Sequence, residues 1–125
     1  MYKDKEVKVI LSEEANKVYD ELNKIVGEEI KKRIDSSFHQ TLLRSIKRVI
    51  EMLKDNPFAG DQVRRILMPR KYIAKYDVKN VWRIELANRW RLLYTINSEN
   101  VEIINFVLDI VNHKKYDKIF GYKKH

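Results

Sequence analysis

Polar and apolar positions change their period twice along this chain of 125 residues, and each change marks an element. Glu6 to Leu11 (EVKVIL) alternates, with Val7, Val9 and Leu11 on one side, which predicts a short first strand. Ser12 then stands as an N-cap, with Glu13 and Glu14 in the first turn, where the helix dipole favours carboxylates. Apolar residues follow at Ala15, Val18, Tyr19, Leu22, Ile25, Val26, Ile30 and Ile34, helical spacing weakened only at Gly27. After Asp35-Ser36-Ser37 the helical pattern restarts as Phe38, Leu42, Ile46, Val49, Ile50 and Leu53, and Asn56-Pro57 with Gly60 ends it. Two amphipathic helices with so short a connection predict an antiparallel αα-hairpin.

Beyond Asp61 the chemistry changes. Val63 to Lys75 carries Arg64, Arg65, Arg70, Lys71 and Lys75 and no acid, and Pro69 suits the start of a short helix over 70–76. The period then becomes two: Trp82, Ile84 and Leu86 alternate with Arg83 and Glu85, and Trp90, Leu92 and Tyr94 with Arg91 and Leu93. Val101 to Val111 is apolar on both sides for most of its length, as an interior strand is. Every bulky residue of the 82–96 hairpin has an even number. They share a buried face only if opposed residues have an even sum, which demands an odd loop. Ala87-Asn88-Arg89 supplies it, with Asn88 or Arg89 in the left-handed conformation. The same parity places Arg83, Glu85 and Arg91 together on the other face.

Composition narrows the class. The chain is 44% hydrophobic and 35% charged with no Cys, which excludes a disordered chain, a disulfide framework, a thiolate nucleophile and a cysteine metal site. No apolar stretch approaches the roughly 18 residues of a membrane span, so a soluble cytoplasmic protein is expected, without membrane contact. Residues 1–62 carry twelve basic and twelve acidic groups, so the whole net charge of +8 belongs to the second half. A one-sided positive field attracts polyanions or an acidic protein partner; a solvated lysine-rich surface is the plainer reading.

Three blocks then resemble a known family. Trp82-Arg83-Ile84-Glu85-Leu86, Trp90-Arg91-Leu92-Leu93-Tyr94 and Leu108-Asp109-Ile110-Val111-Asn112-His113-Lys114-Lys115-Tyr116 resemble the RelE/ParE superfamily of toxin–antitoxin toxins, the HKKYDKI stretch being most similar to HigB-type members. The likeness covers roughly residues 6–120. It implies one α+β domain over 1–125: an N-terminal strand, an αα-hairpin packed on a mainly antiparallel sheet, and a short C-terminal helical tail. It also implies an endoribonuclease that needs no metal or other cofactor, cuts mRNA on the ribosome through the substrate's own 2′-hydroxyl, and is silenced by a cognate antitoxin.

On this resemblance Arg83 and Arg91 fork onto the scissile phosphate, while His113 and Lys114 fall where the family has basic residues after its last strand. His113 is then a general acid or base, and Tyr116 stacks on a base or stands beside the proton transfer. Glu85 is either a general base or the ion-pair partner that holds the arginines; some family nucleases have lysine there. Arg64, Arg65, Arg70, Lys71 and Lys75 with Tyr72 are expected to form a basic-aromatic RNA surface, although Tyr72 and Tyr76 at i, i+4 equally describe one packed stripe. His39 and His125 have no assigned role. The same fold also accommodates a ParE-like toxin that binds gyrase, and a nucleic-acid-binding protein without catalysis.

Overall fold

The computed structural model describes residues 1–99 and 101–121; His125 lies outside them. Strand β1 (Glu6–Leu11) leads into helices α1 (Glu13–Lys31) and α2 (Phe38–Asp55), followed by a two-residue strand β2 (Asp61–Gln62) and the short helix α3 (Arg70–Tyr76). Strands β3 (Trp82–Glu85), β4 (Arg91–Ser98) and β5 (Glu102–Val111) and the final helix α4 (His113–Phe120) complete it. The sheet order is β1-β5-β4-β3-β2, with β1 parallel to β5 and the other pairs antiparallel. This is the α+β arrangement expected from the sequence, with β5 interior as its two-sided apolarity requires.

Parity governs the hairpin as expected. Trp82 faces Tyr94 and Ile84 faces Leu92, both even sums, across the turn Ala87–Arg89, in which Asn88 and Arg89 both take positive φ. Trp82, Ile84, Leu86, Trp90, Leu92, Tyr94 and Ile96 all join one core with Leu22, Leu42, Ile46, Val49 and Leu53 of the helical hairpin. Burial pushes the Tyr94 phenol up to about 12, and its oxygen accepts from the Gly60 N–H at 3.0 Å. Gly60 comes so close to β3 that a Cβ there would lie 2.6 Å from the Arg83 carbonyl oxygen and 2.7 Å from the Tyr94 hydroxyl.

The other face of the sheet is also covered, which the sequence pattern does not announce. Val63, Tyr72, Val78, Val81, Leu93, Leu108, Val111 and Tyr116 form a second buried cluster beneath α3 and α4. A β-bulge builds it. Leu93 pairs with Asp109 but Tyr94 with Val107, so Leu108 is an extra residue and the alternation of β5 shifts by one. The Leu108 carbonyl accepts from the Ser12 hydroxyl at 2.7 Å, and the same oxygen of Ser12 caps α1 by accepting from the Ala15 N–H at 3.1 Å. The bulge also turns Asp109 under α3, where Tyr72 donates its phenol proton to the carboxylate at 2.9 Å.

Candidate functional site

Register makes the site. Glu85 stands directly across from Arg91 in the β3–β4 pair, and Asp61 across from Arg83 in the β2–β3 pair. All four face away from the helical hairpin and line an open cleft of about 180 Å³. Arg91 is held from several sides: its guanidinium meets Glu85 at 3.2 Å and donates to the Arg89 carbonyl at 2.7 Å. The Arg91 side chain is 18% exposed and that of Glu85 78%, so the carboxylate is the partner that can leave.

Helix α4 closes one side of the cleft. Asn112 caps it, its side-chain oxygen accepting from the Lys115 N–H at 2.8 Å, and Gly121 ends it at φ 72°. Its apolar side, Tyr116, Ile119 and Phe120, packs on the second cluster. Tyr116 is only 4% exposed, and its ring lies 5.2 Å from the Arg91 guanidinium carbon and 5.9 Å from that of Arg83. Arg83 also donates to the Tyr116 hydroxyl. Two guanidinium groups on neighbouring strands thus meet at one aromatic ring, a cation–π arrangement that fixes planar charges where a phosphate can be gripped.

No protein-family model matches this sequence, and no curated protein matches it either. Solved structures do. The YoeB/ParE toxin from Agrobacterium tumefaciens matches at 15% identity with a TM-score of 0.51, over 85% of this chain and 98% of the toxin. The chain has the RelE/ParE toxin fold. A substituted mutant of the E. coli toxin RelE in its free state also matches, at 16% identity and a TM-score of 0.49, over 93% of this chain and 96% of that one.

On this RelE/ParE scaffold the expected site residues separate into groups. Arg83, Glu85, Arg91 and Tyr116 come together, with Asp61 added by strand β2, an element too short to carry a sequence signal. His113, the first residue of α4, pairs with Asp117 one turn on at 3.4 Å, an orienting contact for the imidazole. Lys114 lines a different groove, with Arg70 and Lys71 of α3.

The basic-aromatic surface needs correcting at one member. Tyr72 is 2% exposed, its ring inside the second core and its phenol on Asp109, so it has no face to offer a base. Burial, first, and the Asp109 charge push that phenol well above its ordinary value. Lys75 is bound to Glu14 of α1, and Tyr76 donates to the other oxygen of the same carboxylate at 2.5 Å. These bonds hold Glu14 down to about 2. Arg64, Arg65, Arg70 and Lys71 are exposed. Among the described residues no three His, Asp or Glu side chains gather into a metal-binding group.

Proposed function

We propose that this chain is the toxin of a type II toxin–antitoxin pair and an endoribonuclease that cuts mRNA by attack of the RNA's own 2′-hydroxyl, without a metal. The observation that supports this reading is the convergence of Arg83 and Arg91 on Tyr116 in an open, phosphate-sized cleft beside a displaceable carboxylate. In the reaction the 2′-oxygen bonds to phosphorus while the bond from phosphorus to the 5′-oxygen breaks, leaving a cyclic phosphate and a free 5′-hydroxyl. The two guanidinium groups take the non-bridging oxygens, whose charge grows as the phosphorane forms.

Phosphate and Glu85 compete for Arg91. The arriving phosphate displaces the exposed carboxylate, which then stands beside the clamped linkage as the base for the 2′-proton. His113, steadied by Asp117, supplies a proton to the departing 5′-oxygen. Tyr116, buried against Phe120 and the two guanidinium groups, keeps both arginines in register and has no open face for the stacked base that the family resemblance implied.

Controlled expression in a bacterial host, with growth and transcript ends followed together, tests the reading. The wild type should arrest growth with cyclic-phosphate-ended mRNA fragments on ribosomes. Arg91→Ala should lower cleavage by about 100-fold or more, the size of effect seen when one charge-stabilising donor is removed. Glu85→Gln and His113→Ala should each remove one limb of the pH–rate profile. Arrest with intact mRNA and gyrase-linked DNA breaks would assign the chain to gyrase binding instead, and no arrest with no cleavage would leave a non-catalytic binder.

A further inference from the structure

On the far side of α4 from the arginine cleft runs a larger groove, about 830 Å³, between α4 and the start of α3. Arg70 and Lys71 line one wall, Lys114, Lys115 and Lys118 the other, over Pro69 and Ile119. Among the described residues, five cations here stand above one carboxylate, the buried Asp109, which is 3.7 Å from the Lys71 ammonium and 4.0 Å from that of Lys115. Arg70, Lys114 and Lys118 form no ion pair among the described residues. Lys114 and Lys118 are one helical turn apart on a single strip of α4, and Tyr116, midway between them in sequence, points the opposite way into the arginine cleft. One helix therefore separates, and also connects, two anion-attracting sites.

We propose that this α3–α4 groove is a second anion track, which holds the phosphate backbone of a single RNA strand beyond the linkage bound by Arg83 and Arg91. The inference rests on the RNA-cleaving reading of the cleft and extends it to the strand that leads away from it. Among the described residues the groove offers charge but no open aromatic face, since Tyr72 beside it is buried. Its grip is on phosphates alone and is indifferent to sequence. Asp109 serves this arrangement by fixing Lys71 and Lys115 on opposite walls, so that the groove keeps its width when no strand lies in it.

The test is the binding of 2′-O-methyl RNA, which cannot be cut, to the full chain, by fluorescence anisotropy over a range of salt. Oligonucleotides of about twelve and about three nucleotides are compared. Arg70→Ala/Lys118→Ala should weaken the longer strand more than the shorter one and lower its salt slope by about 1.4, at about 0.7 for each phosphate no longer neutralised on a single strand. The charge-keeping variant Arg70→Lys/Lys118→Arg should restore most of that binding, which a folding defect would not allow. Unchanged affinity and slope for the longer strand would overturn the track, as would equal losses at both lengths. Loss of binding to an acidic polyglutamate peptide, with RNA binding intact, would assign the groove to a protein partner and overturn it too. If the length-dependent loss appears but unmodified RNA is never cleaved, the track stands and the nuclease reading falls. If RNA is cleaved yet the groove variants bind as the wild type does, the reverse holds.

Discussion

The two faces of the sheet are built on different terms. The face toward α1 and α2 is apolar from edge to edge, and its buried members are Leu, Ile, Val and one Tyr, with Asn105 the buried polar intruder. The face toward α3 and α4 mixes a smaller apolar cluster with a buried carboxylate, two arginines and a ring of lysines. One face supplies the burial that stabilises the fold. The other uses that rigid platform to hold charges at fixed separations. The buried carboxylate on the charged face is matched by donors, Asp109 accepting from the Tyr72 hydroxyl and the Ile110 N–H, whereas on the apolar face Asn105 donates to the Pro57 carbonyl and its own side-chain oxygen has no partner among the described residues.

This division can be broken by mutation. Leu92→Ala, on the apolar face and fully buried, should cost about 3–5 kcal/mol in urea unfolding, the usual range for a deleted core leucine. Gly60→Ala should cost on the order of 2 kcal/mol in the same experiment, because its methyl would meet the Arg83 carbonyl and the Tyr94 hydroxyl where neither can withdraw. Tyr72→Phe, on the charged face, should cost about 1–3 kcal/mol, since it leaves the buried Asp109 with one donor fewer. If Tyr72→Phe proved as damaging as Leu92→Ala, the two faces would contribute alike and the division would fail.

The smallest effect is expected at Glu14. Its folded value of about 2 lies below its ordinary 4.5, so the stabilisation it brings is complete above pH 4.5 and fades as pH falls toward 2. Glu14 is partly exposed and its bond to Lys75 is screened by solvent, so the contribution is slight. Thermal melts of Glu14→Gln and wild type should differ above pH 5 and converge near pH 2. A gap that persisted in acid would mean Glu14 acts through packing rather than charge.

Much of this architecture is legible in the residues because the apolar face obeys simple periods. The even-numbered run from Trp82 to Ile96 dictates the three-residue turn, and Ser12 declares the start of α1. The charged face is harder to read. Its cover depends on the bulge at Leu108, a one-residue shift inside an apolar run, where alternation carries no signal to be shifted. Tyr72 and Lys71 are adjacent in sequence yet differ fully in exposure, and only the placement of Asp109 beneath α3 decides which of them turns inward. Arg83, Glu85 and Arg91 could be grouped from parity alone. The position of Tyr116 between the arginines required α4 to fold back over the sheet, which no local pattern specifies.

Strand β1 lies at the edge of the sheet and pairs only with β5, so Glu6 must wait for Glu102 and Leu11 for Val107. A ribosome making this chain has extruded the helical hairpin long before the segment that completes the sheet, and the ring that braces the two arginines comes later still. Such a late, long-range closure is slow compared with helix formation. The two arginines are therefore braced only after β5 and α4 have joined the helical hairpin, so the anion grip is among the last features of the fold to assemble.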